Sequence, residues 1–200
     1  MILKAFSSRH RVYIDDNVLK FTNMIYGEYV FVFNGGFDLH DDDTDEKIAT
    51  VSGIFFDEYK ILNEGEDIVE LADIIDVDVY RAMLDLSKSK LHNQDLDENK
   101  AWLPLFSCYI ERIYIYPKFR SRGLGRYIFE NLEQIFLHCF NTYIHSFVIY
   151  PKPQQPDEKN GWINSPDADG SILKRMIDIL KKTGYKKIGK SRFYAINCAI

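Results

Sequence analysis

Apolar and polar positions alternate most cleanly between Glu111 and Tyr116, where Ile113 and Ile115 stand between Arg112, Tyr114 and Tyr116 and Pro117 ends the run. A period of two in β-branched and aromatic residues predicts a strand, and proline stops it because it has no N–H for a ladder. Beyond it, Leu124, Ile128, Leu132, Ile135, Phe136 and Cys139 recur at three and four residues, the stripe of an amphipathic helix. Upstream, Tyr29–Phe33 and Ile48–Phe56 read as two strands, separated by Asn34-Gly-Gly36 and the acidic run Asp41–Glu46. Between Asp67 and Leu86 the residues Ile68, Leu71, Ala72, Ile75, Val79, Ala82, Met83 and Leu86 keep helical spacing, predicting one helix or two broken near Asp76. Residues 87–100 are polar and read as a loop or linker.

Downstream, Thr142–Tyr150 is almost continuously apolar, as in a strand buried on both faces. Residues 151–170, proline-rich at the start and carrying Trp162, form an unusually long connection, of the kind that is often functional or mobile. Ile172, Met176, Ile179 and Leu180 then mark a helix over 171–183 that Gly184 stops, and Tyr185–Ile188 and Phe193–Ile196 read as two short strands. Residues 1–27 support only a first strand and short helices.

Two hundred residues make one domain, or a domain with an insertion. Fourteen Phe and 13 Tyr against 6 Pro and 11 Gly point to a packed core rather than disorder. A net charge of −5 argues against non-specific binding to nucleic acid or an anionic membrane. No window resembles a signal peptide or a membrane span, so a soluble cytoplasmic protein is expected. Cys108, Cys139 and Cys198 are widely spaced and suggest packed thiols, with neither a disulfide framework nor a zinc site. The acidic run fails as a calcium loop because Glu46 stands where glycine is needed and Ser52 where the closing Glu belongs; Asp167-Ala-Asp-Gly170 fails likewise. No metal is expected.

The chemistry concentrates where strand becomes helix. Arg120-x-x-Gly123-x-Gly125 places two glycines at a helix N-terminus, where unpaired N–H groups and the helix dipole favour an anion and a missing Cβ lets it approach. Arg120, Arg122 and Arg126 add cationic donors. Strand, proline, aromatic residue, Arg-x-x-Gly-x-Gly and amphipathic helix together resemble the acetyl-CoA motif of the GNAT superfamily of N-acetyltransferases, written Gln/Arg-x-x-Gly-x-Gly/Ala. The resemblance covers about the last 95 residues well, with Gly184-Tyr185 at the family's closing turn, and the earlier strands more loosely.

It implies an α/β (α+β) fold, a mixed central sheet flanked by helices, as a single domain over 1–200 with a helical insertion at about 67–90. The Glu111–Tyr116 and Tyr143–Tyr150 strands would be adjacent and parallel, joined by the helix from Leu124. Acetyl-CoA would be the acyl donor. Main chain of Ile113, Tyr114 and Ile115 would hold its pantetheine as an added strand, and Arg120, Ser121, Arg122, Gly123, Leu124, Gly125 and Arg126 would surround its pyrophosphate. The acceptor would be an amine on a small molecule or a protein, and the oligomeric state stays open, a homodimer included.

Glu111 is the candidate base, placed by alternation on the face of Ile113 and Ile115, with Tyr109 sharing that face as a relay. The competing reading pairs Glu111 with a nearby arginine. One departure stands out: Leu180 occupies the position where the family often carries a tyrosine acid, and this keeps open an acyl-CoA-binding module without catalysis. His40, His92, His138 and His145 show no paired spacing. Asp41–Glu46, Asp67, Glu70, Asp73 and Asp76 would border an acceptor entrance suited to a cationic amine, or simply keep the surface soluble. Gly184-Tyr-Lys-Lys-Ile-Gly-Lys-Ser191 satisfies the P-loop pattern, but a helix precedes it and only strand follows, which excludes a nucleotide-binding loop.

Overall fold

A computed structural model describes residues 11–12, 30–40, 47–89, 106–140, 143–159, 161–166 and 170–198, with backbone alone at 11–12, 30–40, 47, 135 and 138–140. The expectations for the rest of 1–27, for Asp41–Glu46, for the linker beyond 89 and for Asp167-Ala-Asp169 lie outside these residues. Seven strands form one mixed sheet: β1 (Arg11–Val12), β2 (Val30–His40), β3 (Lys47–Asp57), β4 (Phe106–Ile115), β5 (Ser146–Ile149), β9 (Tyr194–Asn197) and β8 (Lys186–Lys187), in that spatial order. Neighbours are antiparallel except β4 and β5, which run parallel with Ser107 opposite Ser146.

Helices cover both faces. On one, α4 (Leu124–Phe140) lays Leu124, Ile128, Leu132 and Phe136 on Cys108, Ile110, Phe147 and Ile149, with Leu180 of α5 (Ser171–Lys182) completing the cluster. Phe136 is fully buried and meets Phe147 edge-on at 5.2 Å and Phe55 at 6.5 Å. On the other face, α1 (Glu58–Asn63), α2 (Ile68–Ile75) and α3 (Val77–Ser87) bury Ile61, Leu71, Ala72, Val79, Met83 and Leu86 against Ile54, Phe56, Tyr109 and Val148. The helical stretch does break at Asp76, whose carboxylate accepts from Asp78 N at 2.7 Å and caps α3, as Asp67 caps α2.

The expected strand at Thr142–Tyr150 is shorter, Ser146–Ile149, but buried on both faces. The long connection after it is not structureless. It holds a hairpin, β6 (Gln154–Asp157) and β7 (Gly161–Asn164), turned through Gly161 at φ +71°. The P-loop pattern forms the β8–β9 turn: Gly184 ends α5 at φ +91°, and Ser191 precedes β9. Cys108 and Cys198 are free thiols, Cys108 fully buried, and burial pushes the Cys198 thiol up to about 12.

Tyr185, at the turn after α5, is 2% exposed and packs on Phe129, yet its buried hydroxyl has no hydrogen-bond partner among the described residues. Burial raises its pKa well above the ordinary tyrosine value, with Cys198 and Cys108 adding to the effect. A raised folded-state value leaves stability flat at low pH and erodes it once the unfolded chain ionises, near pH 10. Tyr185→Phe is expected to stabilise the protein by about 1 kcal/mol at neutral pH, because it removes a desolvated, unpaired hydroxyl, and to flatten the alkaline loss. Urea unfolding at neutral pH and at about pH 10 checks both; a destabilised variant would mean that the hydroxyl is bonded in solution.

Candidate active site

The β4–β5 ladder ends early. It runs from Ser107↔Ser146 to Ile110↔Ile149 and stops, while β4 continues to Ile115 paired with β3 alone. Among the described residues no strand pairs with 111–115 on the other side, and a cleft of about 490 Å³ opens there, within the usual range for a small-molecule site. Its walls are β4 from Glu111 to Ile115, the turn and first residues of α4, the segment Ile149–Gln154, and Ile172, Arg175, Met176 and Ile179 of α5.

The turn is shaped to present main chain. Ser121 and Gly123 both take positive φ, +61° and +79°, and Gly123 O accepts the first α4 bond from Tyr127 N at 3.0 Å. N–H groups at the start of α4 therefore have no helical acceptor, and left-handed residues in such a turn gather them into a concave anion site. A Cβ on Gly125 would meet only the Cδ1 atoms of Ile115 at 3.5 Å and Ile179 at 3.7 Å, ordinary contacts. The fold does not need glycine at 125; a ligand lying against it would.

Of the residues singled out from the sequence, Glu111, Ile113, Tyr114, Ile115, Arg120, Ser121, Gly123, Leu124, Gly125 and Arg126 line the cleft. Arg122 does not, and lies over the Phe119 ring at 5.5 Å. Two other arginines already have partners: Arg120 Nε donates to Ile115 O at 2.9 Å, and Arg126 pairs with Glu130 at 2.7 Å on the next turn of α4. Arg175 and Lys152 were missed and supply further cations. Ile172, Met176 and Ile179, whose spacing marks the helix, line the cleft, while Leu180 is fully buried. Leu180 does not line the cleft.

Tyr109 is a correction. It is 5% exposed, lies in the second core, and meets Phe193 edge-on at 6.4 Å, whereas Ile113 and Ile115 pack on the first core. The cause is a bulge: Ser52 faces Arg112 and Gly53 faces Ile110, leaving Glu111 as an extra residue. The bulge inverts the alternation, so Tyr109 and Ile113 point to opposite faces, and Glu111, which shares a side with Arg112, also leaves the face expected for it with Ile113 and Ile115. Burial, with Asp78 and Glu111 nearby, pushes the Tyr109 hydroxyl far above the ordinary tyrosine range. It stays protonated at neutral pH, a poor proton acceptor.

Glu111 stands at the bulge with its side chain 43% exposed and its carboxylate paired with Arg112 at 2.9 Å. Ser52 Oγ donates to the same carboxylate at 3.4 Å. Of the acids expected at an acceptor entrance, Asp67 and Asp76 are occupied as helix caps, while Glu70 and Asp73 are exposed. Among the described residues no helix is long and apolar enough to cross a membrane.

No protein family and no curated protein matches the chain. Among solved structures it is similar to an agmatine N-acetyltransferase in its apo form, at 11% identity and a TM-score of 0.40, over 95% of this chain and 99% of that one. It is also similar to a polyamine N-acetyltransferase of Drosophila melanogaster that forms N-acetylagmatine, at 12% identity and a TM-score of 0.35, over 81% and 74%. Likeness at this level leaves the activity to be argued from the cleft.

Substituting the two glycines separates shape from ligand contact. Gly125→Ala is expected to leave stability within about 1 kcal/mol, since a helix favours alanine over glycine and the new methyl has room. Gly123→Ala, forced into φ +79°, is expected to cost about 1 kcal/mol or more. Thermal unfolding of the two variants checks the order; equal losses would mean that the turn differs from the one described.

Proposed function

We propose that the protein is an acetyl-CoA-dependent N-acetyltransferase acting on a primary amine, with the chain serving as one catalytic domain and α2–α3 as its helical insertion. The observation that carries this reading is the juxtaposition of a free β-strand edge with a glycine-bearing helix N-terminus along one cleft. An extended, amide-containing chain ending in a pyrophosphate fits that pair: the amides add to the edge of β4 and the phosphates meet the N–H groups of the turn. Ile113, Tyr114 and Ile115 would bind the pantetheine, and Ser121, Gly123, Leu124 and Gly125 the pyrophosphate. Arg120, Arg126, Arg175 and Lys152 would neutralise it.

When bound, acetyl-CoA supplies an activated acetyl thioester. For transfer, the acceptor ammonium would first give up one proton, its nitrogen would then bond to the acetyl carbon as the carbon–sulfur bond breaks, and a second proton would leave nitrogen while the sulfur gains one. Glu111 is the carboxylate on the cleft wall where the strands part, exposed enough to take the first proton directly or through one water. With Leu180 buried, the departing thiolate takes its proton from solvent or from another group on the wall.

Glu111→Gln preserves shape and removes the acceptor, and is expected to lower kcat roughly 10²-fold with unchanged acetyl-CoA affinity. Calorimetry with acetyl-CoA and a thiol-release assay across a panel of amines test this. Gly125→Val in a folded protein is expected to abolish acetyl-CoA binding. Unaltered affinity would refute the cradle, and tight binding without turnover on any amine would leave a binding module.

A further inference from the structure

Glu111 and Arg112 are adjacent in a strand, where neighbouring side chains normally point to opposite faces. Their ion pair at 2.9 Å exists because the bulge places both on one side. Arg112 is only 10% exposed in its side chain, and its donors are spread over different elements. Nη2 reaches Glu111 on β4, Nη1 reaches Ser52 Oγ on β3 at 3.4 Å, and Nε reaches Gln154 Oε1 on β6 at 3.2 Å. Its guanidinium carbon lies 4.2 Å from the centre of the Trp162 ring on β7. Trp162 also meets Tyr114 of β4 edge-on at 5.1 Å. The β6–β7 hairpin is thus docked on the strand that carries Glu111, and Arg112 makes both the hairpin contact and the carboxylate contact.

We propose that Arg112 is a positioning residue that couples the β6–β7 hairpin to Glu111, so that seating of Trp162 and Gln154 fixes the orientation of the carboxylate at the mouth of the cleft. This rests on the reading of Glu111 as the proton acceptor. Physically, a nearly buried guanidinium holds one geometry only while its donors and its face are satisfied. Removing the indole lets water reach that face and frees the guanidinium to swing, and the carboxylate it holds then samples orientations away from the amine. A displacement of about 1 Å in a reacting group is enough for a large rate loss. Lysine cannot replace the planar fork, because an ammonium can neither stack in the same way nor direct donors along three fixed lines.

Trp162 does not line the cleft, so it tests the coupling without touching the proposed ligand. Trp162→Leu is expected to lower kcat about tenfold with acetyl-CoA affinity unchanged, and Trp162→Phe, which keeps an aromatic face, to stay within about twofold. Placed on Glu111→Gln, the Trp162→Leu loss is expected to vanish, because its route runs through the carboxylate. The same factor in both backgrounds would overturn the proposal. Hydrogen exchange gives a readout independent of turnover: Arg112→Met is expected to speed amide exchange in the hairpin, at Gln154, Gln155, Trp162 and Ile163, and Arg112→Lys to do so partly. Unchanged exchange would overturn the coupling even if Glu111→Gln proves inactive, while full activity of Glu111→Gln with faster exchange would remove the base and keep the link.

Discussion

The separation of β4 from β5 after Ile110 and Ile149 is the constraint on which the rest of the site depends. Buried backbone N–H and C=O groups are paired almost without exception in folded proteins, and within a sheet a neighbouring strand is what pairs them. Ending that ladder inside the sheet leaves the main-chain groups of 111–115 that point away from β3 facing a cavity rather than a strand, with Ile115 O taken by Arg120 Nε. Such an edge is held open only if both strands are anchored elsewhere. Here β3 holds β4 over its full length, β9 holds β5, and Phe136 packs the C-terminal half of α4 on Phe55 and Phe147, two residues before the strands part. The first turn of α4 is thereby brought beside the open edge.

The bulge at Glu111 sets the chemistry of the wall. One extra residue re-aims a carboxylate, lets it pair with its own neighbour, and hands Tyr109 to the opposite core. Arg112 then ties that wall to the β6–β7 hairpin. The ion pair is partly exposed, so its value lies in orientation more than in stability. These features come from register, and each would be lost in a regular strand.

Much of the frame could be read from the residues. The two-residue period at Ile113 and Ile115, the stop at Pro117 and the stripe from Leu124 to Phe136 predict the strand, turn and helix because each pattern has a single physical cause. The break at Asp76 was one of the two readings that the spacing from Ile68 to Leu86 allowed, and the cap that makes it is a contact of the fold. What stayed hidden depends on pairing. Nothing in Ile110-Glu-Arg-Ile113 announces a bulge, so the single face expected for Tyr109, Glu111, Ile113 and Ile115 was misassigned by alternation. Ser121 was placed around the pyrophosphate, but its positive φ was not legible because serine seldom adopts one, and Arg175 went unnoticed because a charged residue on an amphipathic helix normally faces water. The hairpin was obscured by Pro153 and Pro156, although proline is tolerated on an edge strand and the Asn160-Gly161 pair is a turn signal.

The central claim is that the open edge of β4 and the first turn of α4 together bind one extended ligand. Hydrogen exchange with and without saturating acetyl-CoA tests it most directly, because the contacts are made by main-chain amides. The account predicts slowed exchange in two separate segments, 111–115 and 121–126, with no change at the β8–β9 turn that carries the P-loop pattern. Protection confined to 184–191, or none in 111–115, would contradict it.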